Sequence, residues 1–210
     1  MKLHVTDLTV ARGGRAILSG INFGLEAGQG LILRGPNGIG KTTLLRTIAG
    51  LQPAISGHIR PDPDHIAYAS HADAVKGALT VAENLHFWAK IYGTPSMEPA
   101  LDHMQLQPLR DRPGQNLSAG QKRRLGLARL LLSNRKIWIL DEPTVSLDLA
   151  SAGLFRLVLG RHLQQGGIAL MVTHIDLGLP DIATLDLTSY GALQQVSKPL
   201  GPSGFDEAFL

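Results

Sequence analysis

The chain has 210 residues, of which 44% are hydrophobic and none is cysteine, and its formal net charge is +3 at neutral pH. This length predicts one compact domain with room for an inserted subdomain, and the hydrophobic content excludes wholesale disorder. The lack of cysteine excludes a disulfide framework and thiolate metal sites, and so small a charge does not argue for nucleic-acid binding. Residues 1–7 show no secretory signal, and no apolar run approaches the roughly 20 residues that span a bilayer. We therefore expect any membrane role to depend on a partner.

The N-terminal segment has the pattern of a small antiparallel sheet. Residues 3–10 alternate apolar and polar side chains as an outer strand does. A glycine turn at 12–15 precedes strand patterns at 16–18 and 21–25, and a second turn at 28–30 leads towards the next strand. Further short strands are predicted at 57–60 and 66–69.

The stretch from Gly35 to Thr42 matches the phosphate-binding pattern G-x-x-x-x-G-K-[ST] in full. It lies between an apolar strand pattern at 31–33 and a predicted helix at 43–49, so backbone N–H groups and the positive end of a helix dipole surround one point. An ordinary glycine turn would explain neither the Lys-Thr pair nor these flanking elements. The predicted nucleotide-binding residues here are Gly35, Pro36, Asn37, Gly38, Ile39, Gly40, Lys41, Thr42 and Thr43.

Residue type indicates a role for several positions of this loop. The three glycines at 35, 38 and 40 let the main chain approach an anion without a Cβ in the way. Lys41 would reach the β- and γ-phosphates, and the Thr42 hydroxyl would ligate Mg²⁺.

Residues 71–112 are predicted to be helical and to interrupt the nucleotide-binding part of the chain. Thr80 and Glu83 have the spacing of a capping box, and the helix that follows is predicted to stop at Gly93. A second helix is predicted around 97–105, followed by a polar linker. This stretch is therefore interpreted as an inserted subdomain.

A strongly helical run then covers residues 122–132, with Ser118 as a good N-cap. Gly120 stands where a glycine costs stability unless something must approach closely. The basic run Lys122–Arg124 is interpreted as a solvated helix face rather than a nucleic-acid patch.

The apolar strand pattern at 136–140 ends at Asp141 and Glu142. Ligands of open α/β sheets bind at the C-terminal ends of strands, so Asp141 is predicted to hold Mg²⁺ and Glu142 to polarise a water molecule. The alternative is a pair of solvated turn carboxylates before Pro143. Next to a complete phosphate loop, the functional interpretation is favoured.

The remaining elements place a histidine at the same sheet edge. Ser146–Asp148 begin a helix predicted over 149–165, and a strand at 168–173 is followed directly by His174. A lone histidine there is often only a capping residue, but its position beside Lys41 favours contact with the γ-phosphate. Closing strands are predicted at 182–187 and 190–196, and a surface tail at 198–210.

Taken in order, these motifs resemble those of the ATP-binding subunits of ABC transporters along nearly the whole chain. The matching stretches are the phosphate loop at 35–42, the signature at 117–121, the Walker B strand at 137–142, the D-loop at 146–148 and the switch histidine His174. The resemblance implies an α/β fold of the P-loop NTPase class and ABC ATPase type. Its core sheet would be mostly parallel, with an antiparallel N-terminal β subdomain and an inserted helical subdomain. The whole chain, 1–210, would be one such domain, with the helical subdomain at about 71–112 and extending to the helix at 117–132.

The same resemblance implies ATP and Mg²⁺ as ligands and a homodimer in which two copies pack head to tail. Ser118 and Gly120 would touch the γ-phosphate bound to the other copy, and Gln121 and Asp148 would lie at the same shared site. Glu142, His174 and Lys41 would be the catalytic residues. The other expected partners are integral membrane subunits, with no nucleic acid and no direct insertion into the bilayer.

Three positions depart from the common pattern. His71 replaces the usual glutamine, Arg12 stands where an aromatic residue usually stacks on adenine, and Ile39 is bulkier than usual. An imidazole can still hydrogen-bond and a guanidinium can still stack on a base, so both positions stay among the predicted nucleotide-binding residues.

The segment 70–85 and the stretch 142–148 resemble the ATPase subunit of the haem exporter of bacterial cytochrome c maturation. This resemblance implies a peripheral location on the cytoplasmic face of the inner membrane, with ATP hydrolysis supporting haem export or release of the haem-loaded chaperone.

Three alternatives stay open at this point. The chain could serve an ABC exporter of a drug, lipid or polysaccharide, or it could be a soluble ABC ATPase acting on nucleic acid. Against the second, such proteins usually have long coiled coils or two ATPase domains in one chain, and this sequence has neither. The third, a regulatory module that binds nucleotide without hydrolysis, is disfavoured by Glu142 together with His174.

Overall fold

The computed structural model of the protein describes residues 1–175, 177–180 and 182–192. Within these ranges the chain forms eight β-strands and five α-helices. The strands are β1 Lys2–Arg12, β2 Arg15–Glu26, β3 Gly30–Arg34, β4 Ser56–Arg60, β5 Ile66–Ala69, β6 Ile137–Asp141, β7 Ile168–Val172 and β8 Ile182–Asp186. The helices are α1 Lys41–Ile48, α2 Val81–Tyr92, α3 Glu98–His103, α4 Ala119–Leu132 and α5 Leu149–Gln164.

The N-terminal residues form a three-stranded antiparallel sheet in the order β2–β1–β4. β1 is its central strand, since Val5 pairs with Phe23 on one side and with Ile59 on the other. The prediction of an outer strand over residues 3–10 is therefore wrong about its position, although the strand itself is present. Alternating apolar side chains reveal a half-buried strand but not its neighbours, and β4 reaches β1 only after the chain has passed through β3 and α1.

The core is a five-stranded sheet in the order β5–β6–β7–β3–β8, in which every neighbouring pair is parallel. β6 and β7 are buried along their whole length, which explains their unbroken apolar sequences. Successive side chains point to opposite faces. Ile137 and Ile139 pack with α1 and β1, whereas Trp138 and Leu140 pack with α2, α4 and α5. The predicted fold class, a mostly parallel core with an antiparallel N-terminal sheet, is confirmed.

Local capping signals set the ends of two helices on one face of the core sheet. At the start of α2 the Thr80 hydroxyl accepts a hydrogen bond from the Glu83 N–H at 3.1 Å, and the Glu83 carboxylate accepts one from the Thr80 N–H at 2.8 Å. This helix ends at Gly93, whose φ of 68° suits a glycine. α4 begins with a second capping box, formed by Ser118 and Gln121. The sequence predicted only the Ser118 half of it.

The basic run at the start of α4 is not a solvated face, as the sequence had suggested. Arg123 is buried, with 3% of its surface exposed. The reason is that this side of α4 lies against the loops that follow β5 and β6, at Ser70 and Pro143. The charge pattern of one helix cannot reveal which loops of a distant segment cover it.

The chain after β8 differs from the predicted closing strand. Thr188–Tyr190 form a 3₁₀ turn, and Gly191 makes an isolated antiparallel bridge with Leu18. Residues 193–196 of the predicted strand and the tail at 198–210 lie outside the described residues. In the described part of the chain, no helix is long and apolar enough to cross a membrane.

Candidate active site

A cleft of about 520 Å³ opens between the N-terminus of α1 and the C-terminal ends of β6 and β7. Parallel strands bring their C-terminal ends to one edge, so the phosphate loop after β3 and the carboxylates at the end of β6 meet there. Nine of the predicted site residues line this cleft: Arg12, Asn37, Gly38, Gly40, Lys41, Thr42, Thr43, Asp141 and Glu142. Arg46 and Gln52 also line it and were not predicted.

The phosphate loop leaves the start of α1 open towards the cleft. Gly40 is the N-cap of α1 at a φ of 118°, and no side chain caps the helix. Residues with a side chain rarely adopt this φ, and a Cβ here would also lie 2.7 Å from Cδ1 of Ile17, so the position favours glycine. Lys41 curls back over the loop, where its Nζ donates to the carbonyl oxygens of Gly35 at 2.8 Å and Pro36 at 3.1 Å. Uncapped N–H groups and an ammonium group around one point fit a phosphate chain.

Asp141 is buried with 3% of its surface exposed, and both of its carboxylate oxygens accept hydrogen bonds. Oδ1 accepts from the Thr42 hydroxyl at 3.2 Å, and Oδ2 accepts from the Tyr68 hydroxyl at 3.3 Å. Burial, followed by the charge of Asp141, raises the pKa of the Tyr68 hydroxyl well above its ordinary value, so this group stays a donor. The carboxylate and the Thr42 hydroxyl are oxygen ligands of the kind that Mg²⁺ prefers.

Tyr68 is a site residue that the sequence did not point to. It lies on β5, which pairs with β6, and the register places Ala69 opposite Leu140, one residue before Asp141. The only sequence signal was the position of Tyr68 near the end of a short strand. The hydrogen bond between Tyr68 and Asp141 spans 73 positions of the chain, and the pairing of β5 with β6 brings the two residues together.

Glu142 and His174 are brought together at the mouth of the cleft. Nε2 of His174 lies 3.1 Å from Oε1 of Glu142, and the side chains are 68% and 20% exposed respectively. The backbone of Glu142 has a φ of 53°, which is uncommon for a residue with a side chain. Its N–H donates to the Val172 carbonyl at 2.9 Å, and its carbonyl accepts from Arg123 at 2.6 Å. The pair was predicted from sequence, but the backbone conformation was not.

Several predicted site residues lie outside this cleft. Ser118 and Gln121 are engaged in the capping box of α4, and a Cβ at Gly120 would lie 3.1 Å from the Ser146 carbonyl oxygen. Asp148 caps α5 by accepting from the Ser151 N–H at 2.8 Å, and hydrogen bonds from Ser151 lower the pKa of this carboxyl group.

Four further predicted residues belong to the surroundings of the phosphate loop or to the loop after β5. Gly35 and Pro36 hold Lys41 through their carbonyl oxygens, and Ile39 packs against Gly35, where a Cβ would lie 3.3 Å from it. His71 is exposed and does not line the cleft.

Residues 18–145 match the family model described as ABC transporter. The chain is 58% identical to the cytochrome c biogenesis ATP-binding export protein CcmA of Cereibacter sphaeroides, over 100% of this chain and 98% of that protein. It is 56% identical to the protein of the same name from Paracoccus denitrificans, over 99% and 98% of the two chains.

Solved structures with similar folds are also ABC ATP-binding proteins. An ABC transporter ATP-binding protein of Pyrococcus furiosus is 29% identical with a TM-score of 0.80, over 91% of this chain and 100% of that chain. CbiO1 of Clostridium perfringens, part of the ABC transporter complex CbiONQ, is 26% identical with a TM-score of 0.71, over 82% and 78% of the two chains.

Proposed function

The chain belongs to the ATP-binding subunits of the ABC transporter family, and within it to the cytochrome c biogenesis ATP-binding export proteins, and from this membership we propose that it hydrolyses ATP to drive the haem-handling step of cytochrome c maturation. The observation that carries the catalytic part is the meeting of the phosphate loop, Asp141 and the Glu142–His174 pair around one cleft. The names of the relatives favour this process over the export of a drug, lipid or polysaccharide.

The proposed reaction transfers the γ-phosphoryl group of ATP to water. A bond forms between the water oxygen and the γ-phosphorus while the bond to the β–γ bridging oxygen breaks, which yields ADP and phosphate. Glu142 orients the water and accepts its proton, and His174 contacts the γ-phosphate. Lys41 and the N–H groups at the start of α1 neutralise the charge that develops on the phosphate oxygens. Positioning and electrostatics therefore supply most of the rate enhancement.

Thr42 and Asp141 are proposed to hold Mg²⁺. Their oxygens are 3.2 Å apart, and the Tyr68 hydroxyl fixes the other carboxylate oxygen. A Mg²⁺ ion held by these two residues would supply positive charge that offsets the negative charge of the phosphate oxygens. Arg12, at the rim of the cleft, is proposed to stack on the adenine base, and His71 to contact the site through hydrogen bonding.

Two copies of the chain are proposed to pack head to tail. Ser118, Gly120, Gln121 and Asp148 lie outside the cleft of their own chain, which is what a site completed by a second copy requires. In such a dimer the positive end of the α4 dipole would face the γ-phosphate held by the other copy. Each chain of this dimer would be one ATPase domain, and residues 71–112 together with α4 would be the helical subdomain of that domain.

The partners are proposed to be integral membrane subunits, and the location the cytoplasmic face of the inner membrane. Transport across a bilayer needs membrane-spanning subunits, and the proposed role of this chain in that process is to supply the ATPase. Hydrolysis would support either haem export or release of the haem-loaded chaperone. No nucleic-acid partner is proposed.

The test is haem staining of c-type cytochromes in cells whose only copy carries Glu142→Gln. We expect covalent haem attachment to be lost while the variant stays at wild-type abundance on the membrane. Glu26→Gln, which removes an exposed carboxylate that does not line the cleft, serves as the control and should give normal staining. Normal staining with Glu142→Gln would contradict the haem role while leaving ATP hydrolysis to be judged on the purified protein.

A further inference from the structure

The side chain of Arg123 lies at the junction of three segments that surround the active site. It projects from α4 between the loop at 70–73 and the loop at 141–143, and only 4% of its side chain is exposed. All three nitrogens of the guanidinium group donate hydrogen bonds to these two loops. The side chain of this buried cation is therefore held in one conformation by hydrogen bonds to protein groups rather than to water.

Towards the active site, Arg123 binds the backbone that carries the predicted carboxylates. Its NH2 group donates to the carbonyl of Glu142 at 2.6 Å and reaches that of Asp141 at 3.4 Å. Its Nε donates to the carbonyl of Pro143 at 3.0 Å. Arg123 therefore contacts three consecutive peptide carbonyls, those of Asp141, Glu142 and Pro143.

Towards the other loop, the same guanidinium binds the segment that contains the unusual His71. NH1 donates to the carbonyl oxygens of Ser70 at 2.8 Å and His71 at 3.3 Å, and it forms an ion pair with Asp73 at 3.1 Å. One turn further along α4, a Cβ at Gly126 would lie 2.6 Å from the Asp73 carbonyl oxygen. The glycine thus lets this loop sit directly on the helix beside Arg123.

The backbone conformation of Glu142 explains why its carbonyl group has to be held by a hydrogen bond. A side-chain-bearing residue at a φ of 53° is strained and persists only where its surroundings hold it. The Glu142 N–H is bound to Val172 of β7 and its carbonyl to Arg123, so both of its peptide groups are pinned from opposite sides. Loss of the second contact would let the peptide rotate and move the carboxylate away from His174.

We propose that Arg123 is a positioning residue for ATP hydrolysis, which locks the backbone of Glu142 and links it mechanically to the loop at Ser70–Asp73. This inference rests on the proposed function, because it assigns Arg123 an effect only through Glu142. A displacement of the 70–73 loop is transmitted through one rigid guanidinium to the carbonyl of Glu142. Lysine cannot replace this link, because a single ammonium group cannot span both sets of carbonyl oxygens.

The test compares purified Arg123→Lys with wild type in steady-state ATP hydrolysis and in binding of a fluorescent ATP analogue. We expect kcat to fall about 10- to 100-fold, the scale of a misplaced catalytic group, with analogue affinity essentially unchanged. Arg124→Lys is the matched control, since Arg124 binds the carbonyl oxygens of Met104 and Gln105 rather than the site loops. The control should keep the wild-type kcat.

A second measurement separates positioning from a general effect on folding. In the Glu142→Gln background, Arg123→Lys should cause no further loss of hydrolysis, because residues that act as one unit are not additive. A further loss there, or an equal loss of kcat and analogue binding, would overturn the inference. If Arg123→Lys does not fold, Asp73→Asn takes its place. A severalfold lower kcat with unchanged binding of the ATP analogue would then support the inference, and an unchanged kcat would overturn it.

The outcomes also distinguish this inference from the proposed function. Wild-type turnover in Glu142→Gln would remove the catalytic assignment on which both depend. Loss of turnover in Glu142→Gln with a wild-type kcat in Arg123→Lys would overturn the role of Arg123 alone.

Discussion

Nε2 of His174 and Oε1 of Glu142 lie 3.1 Å apart, although 32 positions separate the two residues in the chain. Each follows the end of a core strand, and the register that places Asp141 opposite Val172 brings them to the same height at the sheet edge. His174 is the more exposed of the two, with 68% of its side chain open to solvent. A ligand in the cleft could therefore reach the imidazole without any change in the packing of the core.

Substitution of the proposed general base should separate nucleotide binding from hydrolysis. We expect purified Glu142→Gln to bind a fluorescent ATP analogue as wild type does, because the phosphate loop is untouched. Its hydrolysis rate should fall by about 10²- to 10⁴-fold, the usual contribution of a general base. Turnover close to that of wild type would refute the assignment.

His174→Ala should lower the hydrolysis rate by about 10²-fold, and the loss should not add to that of Glu142→Gln. The reason is that the imidazole acts on the same transferring group as its carboxylate neighbour. Phosphate release from the two single variants and the double variant measures this directly, with the exposed His86→Ala as the control. Independent, multiplicative losses would show that the two side chains act separately.

Tyr68→Phe removes the hydroxyl that donates to Oδ2 of Asp141 at 3.3 Å and leaves the ring in place. Partners that orient a metal ligand commonly change metal affinity by about 10- to 100-fold, so the Mg²⁺ concentration for half-maximal hydrolysis should rise on this scale. The rate at saturating Mg²⁺ should stay near that of wild type. Tyr92→Phe, on α2, is the control; an unchanged Mg²⁺ dependence in Tyr68→Phe would argue against this role.

Ser118 is proposed to have two roles, as N-cap of α4 and as a contact of the phosphate held by a second copy. Asparagine is an equally good N-cap, whereas alanine typically costs about 1 kcal/mol at this position. Ser118→Asn should therefore keep the wild-type melting temperature and Ser118→Ala should lower it. Both should weaken ATP-dependent dimerisation of the Glu142→Gln protein, measured by sedimentation. A wild-type dimer with Ser118→Asn would limit this residue to capping.

The buried His162 predicts a loss of stability in mild acid. Its ring stacks on Trp138 at 3.7 Å between centroids, and burial lowers the pKa of the imidazole from 6.5 to about 4. Between these pH values the unfolded chain takes up a proton that the folded chain does not, so stability falls as the pH drops from 6.5 and levels off near 4. A shift of this size corresponds to about 3 kcal/mol.

His162→Phe should keep the stacking and remove this pH-dependent component. The variant gives up the contact between Nε2 and the Ile168 carbonyl at 3.3 Å, so it should be less stable at pH 7, by about 1 kcal/mol. Thermal unfolding from pH 7 to pH 4 is the measurement, with His86→Gln as the exposed control. A wild-type slope in His162→Phe would assign the acid sensitivity to other groups.

The sequence by itself determined the features that depend on residues a few positions apart. The phosphate loop, the Thr80–Glu83 capping box and the glycine stop at Gly93 could all be predicted, because each requires only local backbone geometry. The apolar runs of β6 and β7 likewise predicted strands, and their ends predicted where Asp141 and His174 would lie.

Only the tertiary structure decided which distant segments touch. The sequence could not show that Tyr68 meets Asp141 across 73 positions, that Arg123 is buried against Asp73 across 50, or that β1 is a central strand. Strand order and loop packing result from contacts between segments whose own patterns allow several arrangements. The charge of Arg123 looked solvated for that reason: its partners are mainly backbone carbonyl oxygens, which every sequence carries and which only the fold brings into position.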